Sequence, residues 1–199
     1  MRPSHYTLVA IILHWVMAFG VLALAGIGLA MTHVNFDPLT VFKLYQLHKS
    51  IGITILLAAI VRLIWRFTHR PPALPAAMSR LTRKAAESSH ILLYLLLIGL
   101  PLTGWALVSV SVLQIPTVLY ATVPWPHIPV LSTLENKKPV EDLFKLIHAY
   151  GAWALLALVA GHAAAALHHH FIAKDDVLRR ILPRSRNKST SLTAEDPSS

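Results

Sequence analysis

Four long apolar segments separated by short polar connections dominate the chain. They span about residues 6–31, 42–67, 90–113 and 143–171. Each holds the roughly 20 apolar residues that an α-helix needs to cross the hydrocarbon core of a bilayer. The first segment is longer than the apolar centre of a signal peptide, so we expect it to be retained as a helix. Pro101 is expected to kink the third helix without ending it. The pattern predicts an all-α protein, a four-helix transmembrane bundle with an up-down-up-down topology.

Composition supports a membrane protein with one domain. Of the 199 residues, 55% are hydrophobic and only 14% are charged, and the mean hydropathy is +0.56. We expect residues 1–175 to form the transmembrane domain and residues 176–199 to form a basic tail that is disordered at its end. The net charge of +9 comes from basic residues beside the apolar segments. We therefore expect membrane lipid and no nucleic acid as a partner.

The basic residues of the connections indicate the orientation of the bundle. The second connection and the tail are rich in arginine and lysine: Arg66, Arg70, Arg80, Arg83 and Lys84, then Lys174, Arg179, Arg180, Arg184, Arg186 and Lys188. The other two connections have fewer. Since cytoplasmic loops carry an excess of Lys and Arg, both termini are predicted to be cytoplasmic. The third connection, residues 114–142, is too polar and too rich in proline to cross a membrane, although it has room for a short surface helix.

The chain contains no cysteine. This excludes disulfides, a covalently attached c-type haem, cysteine-ligated iron–sulfur clusters and a thiolate-ligated haem. Any metal or cofactor must be held by the 12 histidines, by methionine or by carboxylates.

Four histidines lie inside the apolar segments at matched depths. His148 and His162 are fourteen residues apart, which places both on one face of the last helix, roughly 21 Å apart along its axis. With the predicted orientation, His14 and His162 lie roughly 12 Å from the cytoplasmic side. His48 and His148 lie near the outer side. A single intramembrane histidine often only bonds two helices together, but two pairs at two depths favour ligands.

Facing imidazoles are suited to a flat macrocycle, because haem supplies four in-plane nitrogens and needs only two axial ligands. Structural zinc requires four protein ligands, which two histidines at one depth do not supply. The pattern therefore suggests two b-type haems, with iron bound by His14 and His162 on the cytoplasmic side and by His48 and His148 on the outer side.

At these residues the chain resembles the bacterial cytochrome b561 family of di-haem membrane cytochromes. The similar motifs are ILHW around His14, YQLHKSIGI around His48, VRLIWR, HILLYLLLIGLPLTGW, IHAYG, GHAAAALHHHF and DDVLRRILPR. They cover nearly the whole chain. The resemblance implies two haems b held by the four histidines, electron exchange with ubiquinone, and a multi-pass location in the bacterial cytoplasmic membrane.

Three functions remain open at this stage. Some members of the family resemble superoxide oxidases, which implies a superoxide:ubiquinone oxidoreductase here. The alternative is an electron-carrying cytochrome b subunit that relays electrons between quinol and a separate redox protein. A histidine-lined metal transporter is less favoured, because the spans lack the acidic residues that it needs.

Several other residues have two interpretations. Arg62 fits either a haem propionate or a side chain that snorkels to the interface. Lysines on the outer side could attract a small anion or be solvated loop charges: Lys43, Lys49, Lys137, Lys138 and Lys145. Gly151 and Gly161 would admit a macrocycle or a neighbouring helix.

The remaining histidines give weaker signals. His90 fits a propionate partner or a solvated interfacial residue. The run of His168, His169 and His170 fits an interfacial polar cap better than a metal site, because adjacent helical residues point in different directions. His5, His33, His69 and His127 lie in ends or loops, and we assign them no role.

Overall fold

The structure is a computed structural model, described here over residues 5–73, 75 and 78–183. It is mostly helical, with α1 (Leu8–His33), α2 (Pro38–Thr68), α3 (Arg80–Val110), α4 (Pro129–Ser132) and α5 (Lys137–Phe171). The strands β1 (Thr117–Leu119) and β2 (Val123–Trp125) form one hairpin, and a 3-10 turn covers Arg179–Ile181. The four helices α1, α2, α3 and α5 are long and apolar enough to cross a membrane. The predicted all-α four-helix transmembrane bundle is confirmed.

Side-chain caps determine where three of the long helices begin. Thr7 accepts a hydrogen bond from the Ala10 N–H, and Ser79 accepts one from the Thr82 N–H. Asp37 caps α2, and its hydrogen bonds with Thr40 hold the pKa of its carboxyl below the usual range. Such caps satisfy backbone N–H groups that have no partner within the helix.

The cap at Ser79 corrects one prediction. The sequence favoured a polar connection up to Glu87, but α3 already begins at Arg80. Likewise α5 begins at Lys137, six residues before the predicted span, and its first turns contain the i,i+4 pair of Lys145 with Glu141. The error has one cause: apolar residues mark only the part of a helix inside the hydrocarbon core, whereas caps and ion pairs extend helices into the interface.

Three helix pairs pack closely: α1 with α2, α2 with α3, and α3 with α5. Met17, Ile55 and Ala59 form the buried core, which lies between the two histidine depths. Gly20 permits the close approach of α1 and α2, because a Cβ there would lie 2.5 Å from the Ile55 Cδ1 atom. The helix continues through Pro101.

The connection after α3 forms a small cap at one end of the bundle, which we call the outer end. Its strands pair antiparallel, with Thr117 opposite Trp125. The Gln46 amide donates to the Pro116 carbonyl, and Ser50 accepts from the Tyr120 N–H, so the hairpin is bound to α2. The predicted short surface helix is present as α4, but the hairpin was not predicted.

The segment after α5, residues 172–183, returns to the beginning of α1 at the opposite end, which we call the inner end. The Trp15 indole N–H donates to the Ile181 carbonyl at 3.0 Å, and the Tyr6 N–H donates to the Arg180 carbonyl at 3.4 Å. We call this segment the C-terminal strap. Residues 176–183 of the predicted basic tail belong to this strap, and residues 184–199 of that tail lie outside the described residues.

Candidate functional site

The outer histidine pair joins α2 to α5. The imidazoles of His48 and His148 have ring centroids 6.3 Å apart and planes inclined by 70°. Two glycines of neighbouring helices lie against these rings. A Cβ at Gly104 would lie 3.0 Å from the His148 Cε1 atom, and one at Gly28 would lie 3.5 Å from the His48 Cε1 atom. A Cβ at Gly104 would crowd the His148 ring, whereas one at Gly28 would make an ordinary van der Waals contact with the His48 ring.

Hydrogen bonds determine which nitrogen of His148 is available as a ligand. Its Nδ1 atom lies 3.2 Å from the Leu100 carbonyl oxygen and 3.0 Å from the Thr103 hydroxyl oxygen. Since a carbonyl oxygen only accepts, Nδ1 carries the proton and donates it there. The Nε2 atom of neutral His148 then has a free lone pair, which is the arrangement of a metal-binding imidazole oriented by a backbone carbonyl.

The inner pair joins α1 to α5 at the other depth. The ring centroids of His14 and His162 are also 6.3 Å apart, and their planes are inclined by 64°. A third imidazole, that of His90, lies 5.5 Å from His162. The structure thus brings all four predicted ligands together in the predicted pairs.

These separations fit one metal ion between two imidazoles. Rings that bind an ion from opposite sides with bonds of about 2 Å have centroids about 6 Å apart. No group of three or more His, Cys, Asp or Glu within residues 5–73, 75 and 78–183 is arranged to hold a metal ion. Both pairs therefore suit an ion whose other ligands come from a cofactor, as in haem.

Arg62 lies beside the inner pair. Its Nε atom donates to the Tyr94 hydroxyl at 3.1 Å and its Nη1 atom donates to the Ala10 carbonyl at 3.2 Å. The guanidinium is close enough to His14 and His162 to act on them electrostatically. It is thus held within the bundle beside the candidate ligands.

The outer lysines divide into two groups. Lys138 pairs with Asp142, and Lys145 pairs with Glu141 at 2.8 Å. In the described part of the chain, the other three have no ion pair: Lys43, Lys49 and Lys137. Lys49 is half-buried and directly follows His48. Only this second group has positive charge that no carboxylate offsets.

The structure also shows what surrounds the glycines and one of the histidines that had two interpretations. A Cβ at Gly151 would lie 3.0 Å from the Leu100 Cδ1 atom, so this glycine serves the packing of α3 on α5. A Cβ at Gly161 would meet no atom of the described residues within 4 Å. His169 Nδ1 lies 2.6 Å from the Asp175 carboxylate, which joins the end of α5 to the strap.

Sequence reasoning missed the residues that support the ligands. Thr103 and Gly104 lie in the motif LPLTGW, and a polar or very small residue within an apolar helix was the available signal. Tyr94 was missed because its hydroxyl becomes relevant only when α3 packs beside Arg62 on α2.

A bundle of four membrane-spanning helices with paired internal histidines defines a membrane cytochrome b. Comparison with known proteins gives the family: the model of the prokaryotic cytochrome b561 family matches residues 5–184. The chain belongs to this family and is a multi-pass, haem b-binding protein of bacterial membranes.

Three relatives from bacteria extend this comparison. Cytochrome b561 homolog 2 of Escherichia coli K12 is 32% identical, over 92% of this chain and 94% of the relative. Cytochrome b561 homolog 1 of the same strain is 28% identical, over 92% of this chain and 99% of the relative. A protein of Yersinia pestis named probable superoxide oxidase CybB is 26% identical, over 91% and 97%.

Proposed function

We propose that the protein binds two haems b, one between His14 and His162 and the other between His48 and His148. The observation that carries this proposal is the equal 6.3 Å separation of the two imidazole pairs. The free Nε2 lone pair of His148 supports the outer assignment. Arg62 is suited to a propionate of the inner haem, because a guanidinium binds a carboxylate with strong, charge-assisted hydrogen bonds.

Haem held by two histidines would supply one-electron transfer. The side chains of this chain hold and orient the two macrocycles within an apolar bundle. Thr103 and the Leu100 carbonyl fix the His148 ring, and the core around Met17 and Ile55 separates the two depths and excludes water. The four helices thus provide two electron-transfer sites on opposite sides of the membrane.

The inner end is assigned to the cytoplasm, and the membrane to the bacterial inner membrane. Arg66 and Arg70 lie at the inner end of α2, and Arg179 and Arg180 lie in the strap. This excess of arginine at one end supports the orientation. Both termini are then cytoplasmic, and the hairpin faces the outer solution.

The reaction that we propose is the oxidation of superoxide at the outer end and the reduction of ubiquinone. Two superoxide ions each give up one electron and become dioxygen, and two electrons with two protons convert the quinone to quinol. The name of the Yersinia pestis relative supports this choice. The uncompensated charges of Lys43, Lys49 and Lys137 support it as well, because a positive surface speeds the encounter with a small anion.

The first test is the haem content of the purified protein with a reduced-minus-oxidised spectrum. We expect two b-type haems, and a protein without haem would contradict the proposal.

The second test is superoxide-driven reduction of ubiquinone by the double variant Lys43→Gln/Lys49→Gln. We expect a several-fold lower rate at low ionic strength, with normal haem content.

Lys138→Gln is the matched control, because this lysine is already paired with Asp142. We expect a near-normal rate for it. Equal rates in all three proteins would contradict electrostatic attraction at the outer end. No superoxide reactivity, together with a copurifying redox protein, would instead establish the electron-carrying subunit that relays electrons from quinol.

A further inference from the structure

Three buried side-chain nitrogens in the described part of the chain have no hydrogen-bond partner: His48 Nδ1, Trp125 Nε1 and His127 Nε2. All three lie at the outer end. The first belongs to a proposed haem ligand, whose ring interacts with the backbone of Leu24. The other two belong to the last residue of β2 and to the segment that follows it, to which the proposed function assigns no role.

Leaving a buried donor without a hydrogen-bond partner destabilises the folded protein. Most buried polar atoms therefore have a partner, and each exception needs an explanation. The indole N–H of Trp125 can only donate, so its partner must present an acceptor atom. His127 adds a second nitrogen two residues further along the chain.

Prolines hold these two residues in one orientation. Trp125 precedes Pro126, which favours an extended backbone at Trp125. Ile128 is extended as well, with φ −70° and ψ 115°. In an extended segment, residues i and i+2 lie on the same face. Trp125 and His127 therefore share one face, and both nitrogens on it are buried.

Contacts bind this segment to α3, the helix that also lies against His148 of the outer pair. The rings of Trp125 and Trp105 have centroids 5.5 Å apart. The Trp105 indole donates to the Pro126 carbonyl at 2.8 Å, and Ser109 accepts from the Ile128 N–H at 2.9 Å. Trp105 directly follows Gly104, the glycine against the His148 ring. The segment is thus bound to the same stretch of α3 that orients an outer ligand.

We propose that Trp125 and His127 donate two hydrogen bonds to an oxyanion beside the outer haem. This inference rests on the proposed function, because it requires a haem between His48 and His148. The oxyanion is either a propionate of that haem or a small anion that enters from the outer solution. Either source presents a negatively charged oxygen, the acceptor to which N–H donors form their strongest hydrogen bonds.

The test uses the purified holoprotein with Trp125→Phe, which keeps an aromatic ring on Trp105, and with His127→Leu. Haem loss to excess apomyoglobin, the midpoint potential of each haem and the KM for superoxide are measured. The spectrum of His48→Ala identifies the outer haem. If a propionate is the partner, the double variant loses the outer haem about a hundredfold faster, since losing one hydrogen bond to a charged group corresponds to about tenfold and the double variant loses two.

The potential of the outer haem should fall in that case, because a less compensated propionate charge favours the ferric state. The inner haem should be unchanged, and His127→Gln, which retains an N–H donor, should restore part of the effect. If a soluble anion is the partner, haem loss and potential stay normal and the KM for superoxide rises. Trp153→Phe on the exposed side of α5 and His33→Gln in the last turn of α1 are matched controls, because both residues are exposed.

Unchanged haem loss, potential and KM in the double variant would overturn the inference and would leave only buried water as the partner of these nitrogens. The proposed function would survive that result. A wild-type protein with fewer than two haems would overturn the proposed function and this inference together, so the two failures are distinguishable.

Discussion

The two histidine pairs have the same ring separation but different surroundings. At the outer pair, His148 donates to a carbonyl and a hydroxyl on α3, and the hairpin segment covers this end. At the inner pair, Arg62 and the third imidazole of His90 lie beside the ligands. His148 is held by neutral hydrogen bonds, and the unpaired Lys49 follows the other outer histidine in the chain, whereas the Arg62 guanidinium lies beside both histidines of the inner pair.

This difference shows that the ring separation of a pair and the charges that set a reduction potential have different structural origins. The ring separation follows from helix periodicity and packing, which are alike at both depths. The reduction potential depends on the neighbouring charges, and a cation stabilises the reduced haem, whose iron carries one positive charge less. Under the proposed function, the charge of Arg62 therefore favours reduction of the inner haem.

Removing one ligand from each pair should have the largest effect. We expect His148→Ala to lose the outer haem and His14→Ala to lose the inner haem, so that each variant keeps about half of the haem absorbance. The pyridine haemochrome assay on purified protein measures this. His33→Ala, a histidine outside both pairs, should retain both haems. Loss of both haems in each single variant would show that the two sites do not fill independently.

Removing the charge beside the inner pair should have the next largest effect. We expect Arg62→Leu to lower the potential of the inner haem by about 50 mV, as one charge at an effective dielectric constant near 20 implies. Redox titration should show the outer haem unchanged. Tyr94→Phe, which removes only the hydroxyl partner of Arg62, is the control and should keep most of the normal potential. An equal shift of both haems would remove the proposed asymmetry.

Removing one of the two bonds to the outer ligand should have a smaller effect. Thr103→Val keeps the volume but removes the hydroxyl beside His148 Nδ1, while the Leu100 carbonyl remains. We expect a loss of about 1 kcal/mol of outer-haem affinity, or about fivefold faster haem loss. Thr68→Val, at the exposed end of α2, should not change this rate. A change in the inner haem instead would contradict the assignment of Thr103 to the outer pair.

Removing the Asp175 carboxylate from the strap should have the smallest effect. This effect is on the free energy of unfolding and should depend on pH. Burial raises the pKa of Asp175, but hydrogen bonds from the Val177 N–H and His169 outweigh it and leave this pKa below the usual value. The stabilisation is then complete above the ordinary carboxyl pKa of about 3.9 and is lost as the pH falls through the lower folded value.

Asp175→Asn should therefore lower the free energy of unfolding at pH 7 by less than about 1 kcal/mol relative to wild type. Its unfolding temperature should be slightly lower. The difference should shrink below pH 4, and thermal denaturation in detergent at several pH values measures it. If the stability difference between Asp175→Asn and wild type is the same at every pH, its cause is packing and not the carboxylate charge.

The four helices and the depths of the four candidate histidines could be predicted because both depend on sequence-local properties. A run of apolar residues gives a span, and fourteen residues between His148 and His162 give one helix face. The neighbours of each helix could not be predicted, since helices that are apolar on all sides do not reveal which face meets which partner. Thr103 and Tyr94 acquire their contacts only through that packing.

The hairpin was missed for a different reason. Its strands are three residues each, too short for an alternating pattern to be recognised. Their position depends on Gln46 and Ser50, which are about 70 residues away in the chain. The shared face of Trp125 and His127 was hidden for the same reason.

The last long helix, α5, contributes one histidine to each pair. During synthesis α1, α2 and α3 are completed before α5. His14 and His48 are therefore present before the histidines with which they pair. The strap closes on Trp15 later still. Under the proposed function, neither haem can then be held by two histidines until α5 has been synthesised.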